Sequence, residues 1–270
     1  MGAIDLEFQA WGDQNLPAIV LLHGLGGSAH LWQPVAEGLA GEYRLIAPDL
    51  RGHGRSARAT DYRPEQYLGD IENFITRHHF QSFGLVGHAL SGLLCVQLAR
   101  RYPERVRALV SVDINVPANG SLIERLRAAG SQLREACDSR SAQIACLRSH
   151  YAPSTDRELD ELLADALLTK GANGSALNFD PEALRQAAVP DVDSLTGVAC
   201  PTLLLRGSES TVMDRGNGIA LLRQLEHARL VQIPRAGHHV FLDNPAATIR
   251  ELRAFFAETL PRQTHSGGTL

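Results

Sequence analysis

Along the chain, short unbroken apolar runs alternate with longer stretches in which apolar residues recur every three or four positions. Pro17-Ala18-Ile19-Val20-Leu21-Leu22 is such a run. Segments 43–47, 82–88, 107–112, 201–205 and 229–233 read as further strands, with 82–88 and 107–112 buried. A continuous run of this length suits a strand buried on both faces of a parallel sheet. Residues 4–11 instead alternate between apolar and polar, as an outer strand with one solvated face does. Between these runs the helical period predicts helices over about 28–39, 64–79, 90–102, 218–225 and 245–260, with Ser28 as an N-cap candidate and Pro64 opening the second. From about 121 to 188 the patterns are helical throughout, broken at Pro153, Gly171, Gly174 and Pro181.

Alternating strands and helices imply an α/β fold, a doubly wound and mostly parallel sheet with right-handed crossovers. The predicted organisation is a core made of residues 1–114 and 195–260, an all-helical cap over 115–194, and a flexible tail over 261–270.

Charge and cysteine content narrow the partners. The formal net charge is −4, with acidic and basic residues interspersed, which argues against nucleic-acid or membrane binding. Cys95, Cys137, Cys146 and Cys200 form no C-x-x-C pair and read as free thiols. There is no apolar run long enough for a spanning helix and no basic leader, so a cytoplasmic protein is expected. The scattered Arg125, Arg127, Arg134 and Arg148 read as solvated helix-face residues.

The residues with chemistry follow predicted strand ends. His23-Gly24-Leu25-Gly26-Gly27 follows one, Ala89 a second, Asp113 a third and His238 the last. On such sheets ligands bind at the carboxyl ends of the strands. The segment from Phe83 to Gly92 reads as strand, sharp turn and helix, with small residues at Gly87 and Ser91 around an apex at Ala89. That turn pushes the apex side chain outward and aims the Leu90 N–H at the site from the first turn of a helix. A second N–H is available from Leu25, and the substrate-binding candidates are Gly24 and Gly26, which allow close backbone approach, and His88 beside the apex. His238 is the candidate base, with His239 its neighbour and competitor. The orienting acid is Asp113, or Glu209 in the loop after the next strand; an acid three residues past Gly207 is the usual alternative, and that position holds Ser210.

His23-Gly24-Leu25-Gly26-Gly27, Asp49-Leu50-Arg51-Gly52-His53-Gly54-Arg55-Ser56, Gly87-His88-Ala89-Leu90-Ser91-Gly92 and Gly237-His238 together resemble the α/β-hydrolase superfamily, and within it the capped esterase and carbon–carbon bond hydrolase branch. The resemblance implies the α/β-hydrolase fold and a Ser-His-Asp reaction on a small-molecule carbonyl substrate, without cofactor or metal. A homodimer is compatible with it. The sequence departs from the family at Ala89, where the nucleophilic serine belongs. Two readings follow. One is a designed serine-to-alanine change that leaves every partner in place. The other is a native alanine, since one member type linked to pyrimidine breakdown is similar in carrying Gly-His-Ala-Leu at the turn. A native alanine leaves His238 to activate water, to serve as the base of a lyase or oxygenase, or to line a binding pocket without chemistry.

Overall fold

The computed structural model describes residues 2–114, 116, 120–135, 162, 165–171 and 174–261. Cys137, Cys146, Arg148, Pro153 and nearly all of the expected tail lie outside them. In chain order the strands are β1 (Phe8–Trp11), β2 (Ala18–Leu22), β3 (Arg44–Pro48), β4 (Phe83–His88), β5 (Val106–Val112), β6 (Leu168–Gly171), β7 (Gly174–Leu177), β8 (Thr202–Gly207) and β9 (Ala228–Ile233). The helices are α1 (Gln33–Leu39), α2 (Pro64–Arg77), α3 (Leu90–Arg101), α4 (Gly120–Glu135), α5 (Pro181–Arg185), α6 (Arg215–Leu222), α7 (Val240–Asp243) and α8 (Pro245–Thr259).

Seven strands form one sheet in the order β1-β3-β2-β4-β5-β8-β9. Only β1 runs antiparallel to its neighbour. The chain leaves β2 for β3 on one side and returns to β4 on the other. This puts the reversal of winding between β2 and β4, where crevices form in open α/β sheets. Register then levels the strand ends: Leu22 pairs with Gly87, His88 with Val112, and Val112 with Leu205. The residues that follow these strands therefore emerge along one rim.

The period-2 geometry of a strand sends successive side chains to opposite faces. In β2, Ile19 and Leu21 join a core with Trp32, Val35, Leu252 and Phe256. Val20 and Leu22 join another, with Tyr67, Ile71, Leu94 and Leu98. These four of the five β2 residues are fully buried, each worth about 1.5–3 kcal/mol of transfer free energy.

Local differences from the sequence reading have identifiable causes. The outer strand is shorter than its alternation suggests, because the Ile4 N–H goes to Asp70 Oδ1 (2.8 Å) and the Glu7 N–H to Ser56 Oγ (2.9 Å) instead of to a ladder. Ser28 makes no cap bond, and the segment opens as a 3-10 turn (Ala29–Trp32). Asp49 Oδ1 takes the Ala29 N–H at 2.7 Å, so a residue distant in sequence satisfies that end.

The expected all-helical insert is corrected. Helices α4 and α5 are present, but β6 and β7 form an antiparallel hairpin with Leu168 opposite Leu177 and Gly171 opposite Gly174. The Gly171-Ala172-Asn173-Gly174 sequence carries an Asn-Gly hairpin signal, where the helical pattern expects Gly171 and Gly174 only to break helices. The segment after the hairpin is stitched to the loop after β3: Gly54 N–H to Asn178 O and Asp180 N–H to Gly52 O, both 2.7 Å. Tyr62 adds its hydroxyl to Asp180 Oδ2 at 2.8 Å.

Cys95 and Cys200 are buried free thiols, as expected. Arg125 and Arg127 are exposed, and Arg127 Nε donates to Ala187 O at 2.9 Å. No helix among the described residues is long and apolar enough to cross a membrane.

Candidate active site

Ala89 stands alone between β4 and α3, at φ 52° and ψ −121°. An L-residue avoids this backbone region, and holding it there costs of order 1–3 kcal/mol. The surroundings enforce it. Ala89 N–H donates to Val112 O and Gly92 N–H to Ala89 O, both at 3.0 Å. A Cβ on Gly87 would lie 2.5 Å from Ser91 O and 2.7 Å from Cys95 Sγ, so only glycine permits the chain to turn so tightly. Ser91, the other small residue, is buried and donates its hydroxyl to His23 O at 2.5 Å. The turn is thereby tied to the glycine loop after β2.

That loop is held by two buried imidazoles. His23 bonds Gly24 O through Nδ1 (2.8 Å) and accepts the Leu50 N–H at Nε2 (3.0 Å). His53 bonds Arg51 O through Nδ1 (2.8 Å) and accepts the Gly26 N–H at Nε2 (2.9 Å). Accepting an amide N–H requires a neutral ring, and burial provides one. It pushes His23 down to about 4 and, together with the nearby charge of His23, His53 down to about 3. Gly24 packs against the apex: a Cβ there would lie 3.0 Å from His88 Nδ1 and 3.5 Å from the Ala89 methyl. Leu25, between these anchored glycines, and Leu90, at the first position of α3, have no acceptor for their N–H groups among the described residues.

Asp113 also follows its strand with positive φ, 50°. It is fully buried, and its Oδ2 takes the Nδ1 hydrogen of His238 at 2.7 Å. Ser210 donates its hydroxyl to the same oxygen at 2.5 Å, and the Gly207 N–H approaches Oδ1 at 3.3 Å. Of the two acids open in the sequence, Asp113 is therefore the one bonded to an imidazole, and of the two histidines it bonds His238. Glu209 lies in a cavity of about 470 Å³ with Arg235 and Asp243. Asp243 shapes the histidine loop by accepting the Gly237 N–H at 2.8 Å, and burial raises its carboxyl above the ordinary value.

His88 lies beneath the histidine loop. Its Nε2 bonds His238 O at 3.0 Å, and its ring is edge-on to Phe241 with centroids 5.0 Å apart. Burial, then the neighbouring His238 and His239 rings, holds its imidazole well below the usual histidine range. Phe241 in turn stacks on Trp32 at 4.1 Å, which seats the loop on the core.

The residues that follow β2, β4 and β5, among them His23, Gly24, Ala89 and Asp113, emerge on one rim, and a hydrogen bond joins Asp113 to His238. The sequence alone does not show the bonds made by Ser210, His23 and His53. Ser210 was signalled only by its spacing past Gly207.

A sequence profile described as the alpha/beta hydrolase fold matches residues 17–245. The chain belongs to the α/β-hydrolase family. A 3-hydroxybutyrate-oligomer hydrolase of Cupriavidus necator is 27% identical to this family member over 261 residues, covering 89% of each chain. A protein of Variovorax paradoxus provisionally assigned as the carbamate hydrolase RutD is 30% identical, covering 93% of this chain and 96% of its own. Among solved structures, an E-2-(acetamidomethylene)succinate hydrolase superimposes with a TM-score of 0.80 at 25% identity, covering 93% of this chain and 94% of its own.

Proposed function

We propose that this α/β-hydrolase family member hydrolyses a small carbonyl substrate (an ester, lactone, amide, carbamate or activated C–C bond) and that the Asp113–His238 pair activates water directly. The observation that carries this is the 2.7 Å Nδ1–Oδ2 bond, which supports Nε2 of His238 as the proton acceptor on a rim whose apex residue, Ala89, has no side-chain oxygen. In the reaction, a water oxygen attacks the carbonyl carbon and its proton passes to His238 Nε2. The Leu25 and Leu90 N–H groups stabilise the resulting oxyanion. His238 then returns the proton to the leaving group as its bond to the carbon breaks, with Asp113 holding the imidazolium. Gly24 and Gly26 give the substrate room against the loop. The hydrolase names of the relatives, which cover most of both chains, support the reaction class.

A second reading has one observation in its favour. The Ala89 backbone keeps a strained, outward-aimed geometry that an alanine has no use for. On this reading a serine belongs at position 89 and reacts covalently through an acyl intermediate.

One experiment separates the two. The protein and its Ala89→Ser variant are assayed on a panel of esters, lactones, carbamates and C–C substrates. Water activation predicts turnover by the alanine protein that is lost in His238→Ala, with no burst in either form. The covalent reading predicts turnover, with a burst, in the serine form alone. Silence from both forms across the panel refutes hydrolysis and leaves a ligand-binding protein.

A further inference from the structure

We infer that His88, His238 and His239 form a binding site for a borderline divalent cation such as Zn²⁺, and that an ion held there takes the base out of action. The second half rests on the hydrolase reading above; the first does not.

The three rings close on one another, with centroids 4.4 Å apart for His88 and His238, 4.8 Å for His88 and His239, and 4.9 Å for His238 and His239. One ligand atom from each lies within 4.8 Å of the others. A tetrahedral zinc with Zn–N of about 2.0–2.1 Å sets its nitrogens about 3.3 Å apart, so the rings draw in by at most about 1.5 Å. Side-chain rotation covers that distance.

The donor chemistry selects the ion. Three imidazoles without a carboxylate or thiolate suit Zn²⁺, Co²⁺ or Ni²⁺ and not Mg²⁺ or Ca²⁺. His238 already has the outer partner typical of a ligating histidine, since its Nδ1 hydrogen goes to Asp113 and fixes Nε2 as the coordinating atom. His88 and His239 are buried, while the His238 side chain is 25% exposed and gives an ion its entry. Ala89, next in sequence to His88, brings no side-chain oxygen to compete for the ion. Coordination uses the lone pair of His238 Nε2 that general-base catalysis requires.

The test titrates chelator-treated protein with Co²⁺, read by its visible absorption, and with Zn²⁺, read by calorimetry. We expect one ion per chain, affinity weakened at least about tenfold by His239→Gln, and no change in His30→Gln, which alters a histidine outside the cluster. His238→Gln, read by binding alone, repeats the test at a partly exposed position should His239→Gln fail to fold. Loss of hydrolysis should track occupancy and reverse with chelator. Absence of a one-per-chain site, or unchanged affinity in the folded variants, overturns the cation site. Binding that leaves hydrolysis intact overturns the inhibition. Binding by a protein that hydrolyses nothing in the panel keeps the cation site and removes the hydrolase reading.

Discussion

Ser210 donates its hydroxyl to the same Asp113 oxygen that takes the His238 hydrogen, at 2.5 and 2.7 Å. Ser210, three residues past Gly207, and the His238 ring thus share one buried carboxyl group supplied by the neighbouring strand. The Ser210 oxygen also accepts the Val212 N–H at 3.1 Å, which fixes the direction of its own hydrogen. Replacing Ser210 with alanine removes one hydrogen bond to a buried carboxylate, worth about 1.5–3 kcal/mol. We expect kcat/KM to fall roughly tenfold to a hundredfold, with the pH profile of kcat/KM displaced; a profile that does not move assigns the hydroxyl a structural role only.

Asp113→Asn keeps the shape but presents the imidazole with an amide. By analogy with the serine-protease triad, the loss in kcat is expected to be about 10²–10⁴-fold. Because position 210 reaches the same place, Asp113→Asn combined with Ser210→Asp should recover part of it. Steady-state rates for the two variants side by side decide this, and a double variant no faster than the single one counts against position 210 as an alternative seat for the acid.

Acid should loosen the fold through His23 and His53. Both are neutral when folded, held down to about 4 and about 3 by burial, while an unfolded histidine titrates near about 6.5. Between these values the unfolded chain binds protons that the folded chain does not, so stability rises with pH. The contribution is complete above about 6.5 and is lost as pH falls, down to about 4 for His23 and about 3 for His53, at about 1.4 kcal/mol per pH unit for each group. Urea melts at pH 7, 6 and 5 read this directly. His53→Gln should flatten part of the slope, and equal stability at pH 7 and 5 contradicts the account.

Ala89→Gly should stabilise the protein. Glycine removes the strain of φ 52°, of order 1–3 kcal/mol, and gives back about 0.5–1 kcal/mol in unfolded-state entropy. A net gain of about 1 kcal/mol is a rise of a few degrees in Tm, measurable by calorimetry. A fall in Tm means that the methyl makes packing contacts worth more than the strain.

The parts of the site legible in the sequence were those set by one residue and its strand. Asp113 is legible because it follows a short run whose burial is written in its own side chains, and His238 because a Gly-His pair follows the last strand, although that edge strand is only half-buried. Ser210, His23 and His53 act through partners 27 to 97 positions away, and nothing local marks a hydroxyl or imidazole as an acceptor for a distant amide. The hairpin at Leu168–Leu177 was missed because eight strand residues around a glycine-flanked turn hold too few apolar positions to show a period of two. Ser28 failed as a cap because Asp49, twenty positions on, reached the Ala29 amide instead.

Ala89 and Asp113 end adjacent strands with nearly equal positive φ, 52° and 50°. Their direction is thus written into the main chain and its ladder bonds rather than into side-chain rotamers. An atom added or removed at the tip of residue 89 leaves that frame intact. Selection can therefore exchange alanine and serine at the apex by a single codon change without first rebuilding the fold, so the reactivity of this scaffold is free to drift while its architecture stays fixed.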